Sequence, residues 1–149
     1  MGRPCFDLEQ VIEAAARMPV KEIFRKEGDS GYRQRERRAL VSVATGPPSV
    51  SVLGAGTFVD RGNRRTIAQA GVSVYTEASL EMCLMGAIEQ GLLRPDDEAN
   101  ERFATLYESR TAEYENADVI MDVVERDPEA VADEIVQSLE ERVWAEKFV

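Results

Sequence analysis

A chain of 149 residues has room for one core and is short for two domains. Its 44% hydrophobic and 31% charged residues include no apolar run near the roughly 18 residues of a membrane span, which implies a soluble protein, and a net charge of −10 opposes non-specific binding to nucleic acid or an anionic membrane. With no histidine, Ser-His and Cys-His nucleophile pairs and imidazole metal ligands are excluded, so any chemistry falls to carboxylates, arginines and backbone amides.

In chain order, Leu8, Val11, Ile12 and Ala15 form the apolar stripe of a first helix, which Arg17-Met18-Pro19 interrupts. Val20, Ile23 and Phe24 predict a short second helix stopping at Gly28. Tyr32, Glu36, Leu40 and Val43 share one face of a third, from about Ser30 to Ala44, where the two prolines of ATGPPS end it. Val50 to Leu53 reads as a strand, Gly62 to Ala70 as a short helix and Val72 to Tyr75 as the next strand. Leu80, Cys83, Leu84, Ala87 and Ile88 mark a helix by their spacing. GLLRPDDEAN (91–100) reads as a loop, a helix follows over 98–115, and Asp118 to Val123 is a strand. The last helix starts at Asp127-Pro128 and carries Val131, Ile135, Leu139 and Val143.

Helices alternating with strands predict an α/β unit with a largely parallel sheet, taken as one domain over 1–149. Ligands in such sheets bind at the carboxyl ends of the strands. The turn Gly54-Ala55-Gly56 lies at one of those ends, inside SVLGAGTFVD, where backbone amides can approach an oxygen-rich ligand.

Several polar residues fall where apolar ones are expected. In helix 98–115 the inward stripe is Phe103, Leu106, Tyr107, Arg110 and Tyr114, so Arg110 needs an anion, either a ligand or an internal partner such as Glu36. Arg33 precedes Glu36 by three residues, close enough for the carboxylate to orient the guanidinium. Asp7 and Glu9 stand two apart at a strand-to-helix junction; they can hold Mg²⁺ through water or accept protons from hydroxyls, and Asp7 can equally serve as a helix cap. Fifteen arginines outnumber three lysines, through phosphate or carboxylate recognition or through codon bias. Cys5 and Cys83 imply neither a disulfide framework nor a zinc site. The N-terminal residues lack the features of a secretory or transit peptide, so the expected location is cytoplasmic.

The order F-D-x-E-x-x-I-E, E-I-F-x-x-E-G-x-x-x-Y-R-x-x-E, G-x-G, R-P and L-Y-x-x-R-x-x-x-Y resembles the shikimate kinases, relatives of the nucleoside monophosphate kinases, from about Pro4 to Leu139. EIFRKEGDSGYRQRE is its most specific part. The resemblance implies a three-layer α/β/α fold and transfer of the γ-phosphoryl group of ATP to the 3-hydroxyl of shikimate, with Mg²⁺. By resemblance, Asp7 is the catalytic carboxylate near Mg²⁺ and the attacking hydroxyl, and Glu9, in a place normally held by aspartate, meets shikimate hydroxyls. Arg33 and Arg110 match the two arginines that clamp the shikimate carboxylate, with Glu36 orienting them. Gly54, Ala55 and Gly56 match a triple-glycine turn whose amides face the substrate, and Arg94 matches an arginine of a lid, short here at about 91–100.

Family members begin with a strand, a G-x-x-x-x-G-K-[ST] loop and a helix; no lysine here follows a glycine, so residues 1–149 contain no copy of that loop. The expectation is a fold truncated at its N-terminus, inactive alone with ATP, and deprived of a central strand. The three readings are a true start upstream of Met1, a second chain supplying the missing strand, or a non-catalytic kinase-like protein that binds a small carboxylate or a regulatory partner.

Overall fold

Asp7 ends one element and begins the next. Residues Cys5–Asp7 are extended (β1), and the Asp7 carboxylate then accepts the Glu9 N–H at 2.9 Å, capping helix α1, Leu8–Ala16. The computed structural model describes residues 2–94 and 97–148, apart from the side chains of 97 and 143–148. The chain resolves into two compact units, Met1–Gly71 and Val72–Val149.

In the first unit α1 closes at Arg17, whose left-handed backbone lets its N–H return to the Glu13 carbonyl. Pro19 opens helix α2, Val20–Ala44, where the Glu13 side chain takes up the Val20 N–H at 2.8 Å. Gly28 (φ 68°, ψ −173°) interrupts α2, a conformation that side chains with a Cβ avoid. The predicted stop at Gly28 and restart near Ser30 are thus one helix with a kink, and Arg35 bridges it by a two-pronged ion pair to Glu27 at 2.7 and 2.8 Å.

Strand β2, Val50–Val52, pairs in parallel with β1, Cys5 opposite Val50 and Asp7 opposite Val52. Helix α3, Arg61–Ala70, follows, with Asp60 accepting the Asn63 N–H at 2.9 Å as its cap. Leu8, Ile12, Ile23, Tyr32, Ala39 and Leu40 form the core, flanked by Leu53 and Ile67, and Tyr32 stacks on Phe24. Ile23 has no exposed surface, so Ile23→Ala is expected to lower the unfolding free energy by about 2–5 kcal/mol in urea titration; a loss below about 1 kcal/mol would show that the site is not close-packed. Phe6, Val50 and Val52 are exposed, with Val50 and Val52 on the same side of β2.

In the second unit strand β3, Val74–Glu77, pairs in parallel with β4, Val119–Asp122, Val74 lying opposite Val119. The predicted strand Val72–Tyr75 is thereby shifted two residues along the chain. The Asp118 carboxylate accepts both the N–H and the hydroxyl of Ser73, so Ser73 serves as the anchor of the strand's entry, and pairing with β4 extends β3 to Glu77.

Helix α4, Leu80–Glu89, starts on the Ser79 cap, and helix α5 spans Asp97–Tyr114. Residues 97–100, read as loop, therefore belong to α5, while Pro95 and Asp96 of that stretch lie outside the described residues. Leu106, assigned to the inward stripe of α5, is 44% exposed; Tyr107 and Tyr114 hold the helix instead, through a hydroxyl bond to the Ala78 carbonyl and a ring contact with Tyr75. Helix α6, Pro128–Phe148, begins as predicted with Asp127 accepting the Ala130 N–H, and buries Val131; the Val143 side chain lies outside the described residues.

The described strands thus form two parallel pairs, β1 with β2 and β3 with β4. In each pair both strands keep one edge unpaired among the described strands.

Candidate functional site

At the carboxyl end of β2 the chain turns through Gly54, Ala55 and Gly56, and the Thr57 N–H closes the turn on the Gly54 carbonyl at 2.9 Å. Beneath it, α2 presents Glu36 only 2% exposed. A buried carboxylate needs donors, and Glu36 has two kinds. Arg33 Nη1 donates to Oε1 and Oε2 at 3.2 and 3.1 Å, and Thr57 Oγ1 donates to Oε1 at 2.8 Å. Thr57 is fully buried, and its carbonyl accepts from Asn63 Nδ2 of α3 at 3.0 Å.

The Arg33 guanidinium lies against the turn itself. A Cβ on Gly56 would stand 2.7 Å from Nη1 and 2.9 Å from Nη2, so the position must be glycine if the guanidinium is to stay where Glu36 holds it. Arg33 Nε also lies 3.4 Å from an Asp29 oxygen, and the side chain is about a third exposed. Burial disfavours its charge, but the Glu36 hydrogen bond and the Glu36 and Asp29 charges outweigh that and raise its pKa above the ordinary value. A fixed guanidinium beside a turn rich in backbone N–H groups suits a carboxylate or phosphate ligand.

Asp7 and Glu9 belong to the same neighbourhood. Burial raises the pKa of the Tyr32 phenol, with the Glu36 and Glu9 charges adding to it, Arg33 opposing and Asp7 adding a further part. Asp7 is exposed and its Oδ1 caps α1, so the structural role read from the sequence is present. Among the described residues no group of three or more carboxylates, cysteines or histidines is placed so that it could hold a metal ion. Asp7 thus offers Mg²⁺ one partly engaged carboxylate, and residues 1–149 carry no phosphate loop lysine or hydroxyl for a nucleotide, so the donor set does not make up an ATP and Mg²⁺ site by itself.

The first unit thus contains Asp7, Glu9, Arg33, Glu36, Gly54, Ala55 and Gly56. Arg110 and Arg94 belong to the second. Arg110 is half-buried on α5, and its positive charge acts on the Tyr114 phenol; no ion pair to it is present among the described residues. Arg94 is exposed in the connection between α4 and α5. Thr57 and Asn63 escaped the sequence reading. Their signals were faint: a threonine directly after a glycine turn, and an asparagine inside a helix that Asp60 caps, where it would be a poor helix former unless its side chain were engaged.

Parallel strands joined through helices, with a glycine turn at a strand's carboxyl end against an oriented arginine, define an α/β protein of the class that binds small ligands at strand ends. A sequence model of shikimate kinase matches residues 1–140. The chain is 32% identical over 152 residues to a shikimate kinase of Paramagnetospirillum magneticum, covering 100% of this chain and 77% of that protein. With one from Ruegeria pomeroyi it shares 34% identity, covering 95% of this chain and 74% of the relative.

Among solved structures, a shikimate kinase from Acinetobacter baumannii in complex with shikimate superposes with a TM-score of 0.80 at 22% identity, covering 99% of this chain and 82% of that one. One from Bacteroides thetaiotaomicron gives 0.77 at 26%, covering 95% and 83%. The chain belongs to the shikimate kinase family. No helix among the described residues is long and apolar enough to cross a membrane.

Proposed function

We propose that these residues form the acceptor side of a shikimate kinase: they bind shikimate and present its 3-hydroxyl for phosphorylation by ATP. The observation that carries this reading is the buried Glu36, which with Thr57 holds the Arg33 guanidinium against the Gly54–Gly56 turn. By resemblance to the family, Arg33 and Arg110 each match an arginine for the substrate carboxylate, the turn amides and Glu9 match the groups for its hydroxyls, and Asp7 matches the acceptor of the attacking hydroxyl's proton. Arg94 matches the family's lid arginine for the phosphates. Glu9 and Ala55 are each larger than the family's usual residue, by a methylene and a methyl group, and either change tightens or alters the substrate pocket.

The donor side is a separate matter. Residues 1–149 hold no G-x-x-x-x-G-K-[ST] sequence, and transfer from ATP therefore requires that loop to be supplied with them, from the same polypeptide or from a second chain. The unpaired edge of β2 among the described strands and the exposed Val50 and Val52 support a further strand and covering helix there. The same features favour the second reading, a non-catalytic carboxylate-binding or partner protein, should the loop be absent altogether. The reaction belongs to the synthesis of aromatic amino acids, and its expected setting is the cytoplasm.

Titration calorimetry of the 149-residue chain with shikimate tests the acceptor reading. Binding that Arg110→Ala weakens by about 30-fold or more is the expected result, as for loss of one partner from a charged contact. If the parent chain does not bind, the acceptor reading gives way to the partner-protein one.

A further inference from the structure

We propose that Thr57 is a positioning residue for carboxylate recognition, tying the substrate-facing turn and the Arg33 guanidinium into one rigid unit. The inference deepens the acceptor reading above and rests on it for the identity of the ligand. Three contacts converge on this one fully buried residue. Its N–H closes the turn on the Gly54 carbonyl, its hydroxyl donates to Glu36 Oε1 at 2.8 Å, and its carbonyl receives Asn63 Nδ2 at 3.0 Å. The backbone that shapes the turn and the hydroxyl that orients the carboxylate under Arg33 therefore belong to the same residue.

The consequence follows from the geometry of Glu36. Its Oε1 accepts from both Thr57 and Arg33, while Oε2 is engaged by Arg33 at 3.1 Å. Without the hydroxyl, Oε1 loses its shortest bond inside a buried pocket, and the carboxylate is left free to rotate toward Arg33 and take the guanidinium with it. On the side of the turn the guanidinium already borders the space that a Cβ on Gly56 would take, such an atom standing 2.7 Å from Nη1. Its alternatives are to crowd the turn or to leave it. Either displacement spoils a clamp that depends on turn amides and guanidinium being held in a fixed relation before the ligand arrives. Asn63 extends the same restraint to α3, whose start is fixed by the Asp60 cap and by the Arg37 ion pair to Asp60 at 3.2 Å.

The test compares Thr57→Val, which keeps the shape and removes the hydroxyl, with Thr57→Ser, which keeps the hydroxyl. Shikimate and its methyl ester, in which the carboxylate is masked, are titrated against each by calorimetry. Thr57→Val is expected to weaken shikimate binding by about 10-fold or more, as for loss of a hydrogen bond to a charged group, while the ester changes by less than about twofold. Thr57→Ser is expected to restore the acid's affinity to within about threefold of the parent.

Equal losses for acid and ester would show general damage to the pocket and overturn the proposal, as would parental affinity for shikimate in Thr57→Val. A ligand-free measurement separates this claim from the acceptor reading. The Arg33 Nε–H resonance should be sharp in the parent and Thr57→Ser, and shifted or broadened in Thr57→Val. If the parent binds no shikimate, the acceptor reading fails, and this resonance alone decides the positioning role; an unchanged signal in Thr57→Val overturns it.

Discussion

Arg33→Ala is expected to reduce shikimate affinity by about 30-fold or more, from loss of a charged contact worth about 2–5 kcal/mol. The same change also removes the principal counter-charge of Glu36, which is 2% exposed and would keep only the Thr57 hydroxyl among the side-chain donors named above. A stability loss of about 1–3 kcal/mol should therefore accompany it in urea titration. The double variant Arg33→Ala/Glu36→Gln separates the two effects. A neutral amide needs no counter-charge, so stability should largely return while affinity stays low.

Because the Glu36 and Asp29 carboxylates raise the pKa of Arg33 above the ordinary arginine value, its contribution to stability is fully present through neutral and mildly alkaline pH and is lost only in strongly alkaline solution. Arg33 thus adds no pH dependence near neutrality. Shikimate affinity in Arg33→Ala within about threefold of the parent would rule out the guanidinium as the carboxylate's partner.

The second large effect concerns turnover. The 149-residue chain mixed with ATP, Mg²⁺ and shikimate is expected to phosphorylate at a rate lower by about 10³-fold or more than the same residues joined to a strand, G-x-x-x-x-G-K-[ST] loop and helix. Phosphoryl transfer depends on holding and neutralising the γ-phosphate, and the loop's amides, lysine and hydroxyl supply that. In residues 1–149 no lysine follows a glycine, and among the described residues no cluster able to hold a metal ion is gathered. The structure offers a place for the added strand, since β2 pairs only with β1 among the described strands and exposes Val50 and Val52. A coupled assay of ADP release measures both proteins. Comparable rates in the two would refute the requirement for the loop.

Local spacing made much of this fold legible. The stripe Leu8, Ile12 with its stop before Pro19, the interruption at Gly28, which the structure shows as a kink within α2, and the Asp127-Pro128 start each depend on neighbours within a turn or two. Strand β3 was less legible, because its ends are set by Asp118 and β4, more than forty residues away, and not by its own apolar run. Leu106 failed for a related reason: helical spacing identifies one apolar face, but how much of that face a neighbour covers depends on the neighbour.

The candidate site divides along the same line. By itself the sequence determined the family, through EIFRKEGDSGYRQRE and its companions, and it determined that Arg33 and Glu36 meet, because three residues along a helix bring side chains together whatever surrounds them. Only the tertiary structure decided that Glu36 is buried, that Thr57 shares its carboxylate and that Gly56 borders the guanidinium. Thr57 lies 21 residues from Glu36 on a different element, and no backbone periodicity relates them. Their contact comes from packing the turn after β2 onto α2, where burial requires each polar group to find a partner.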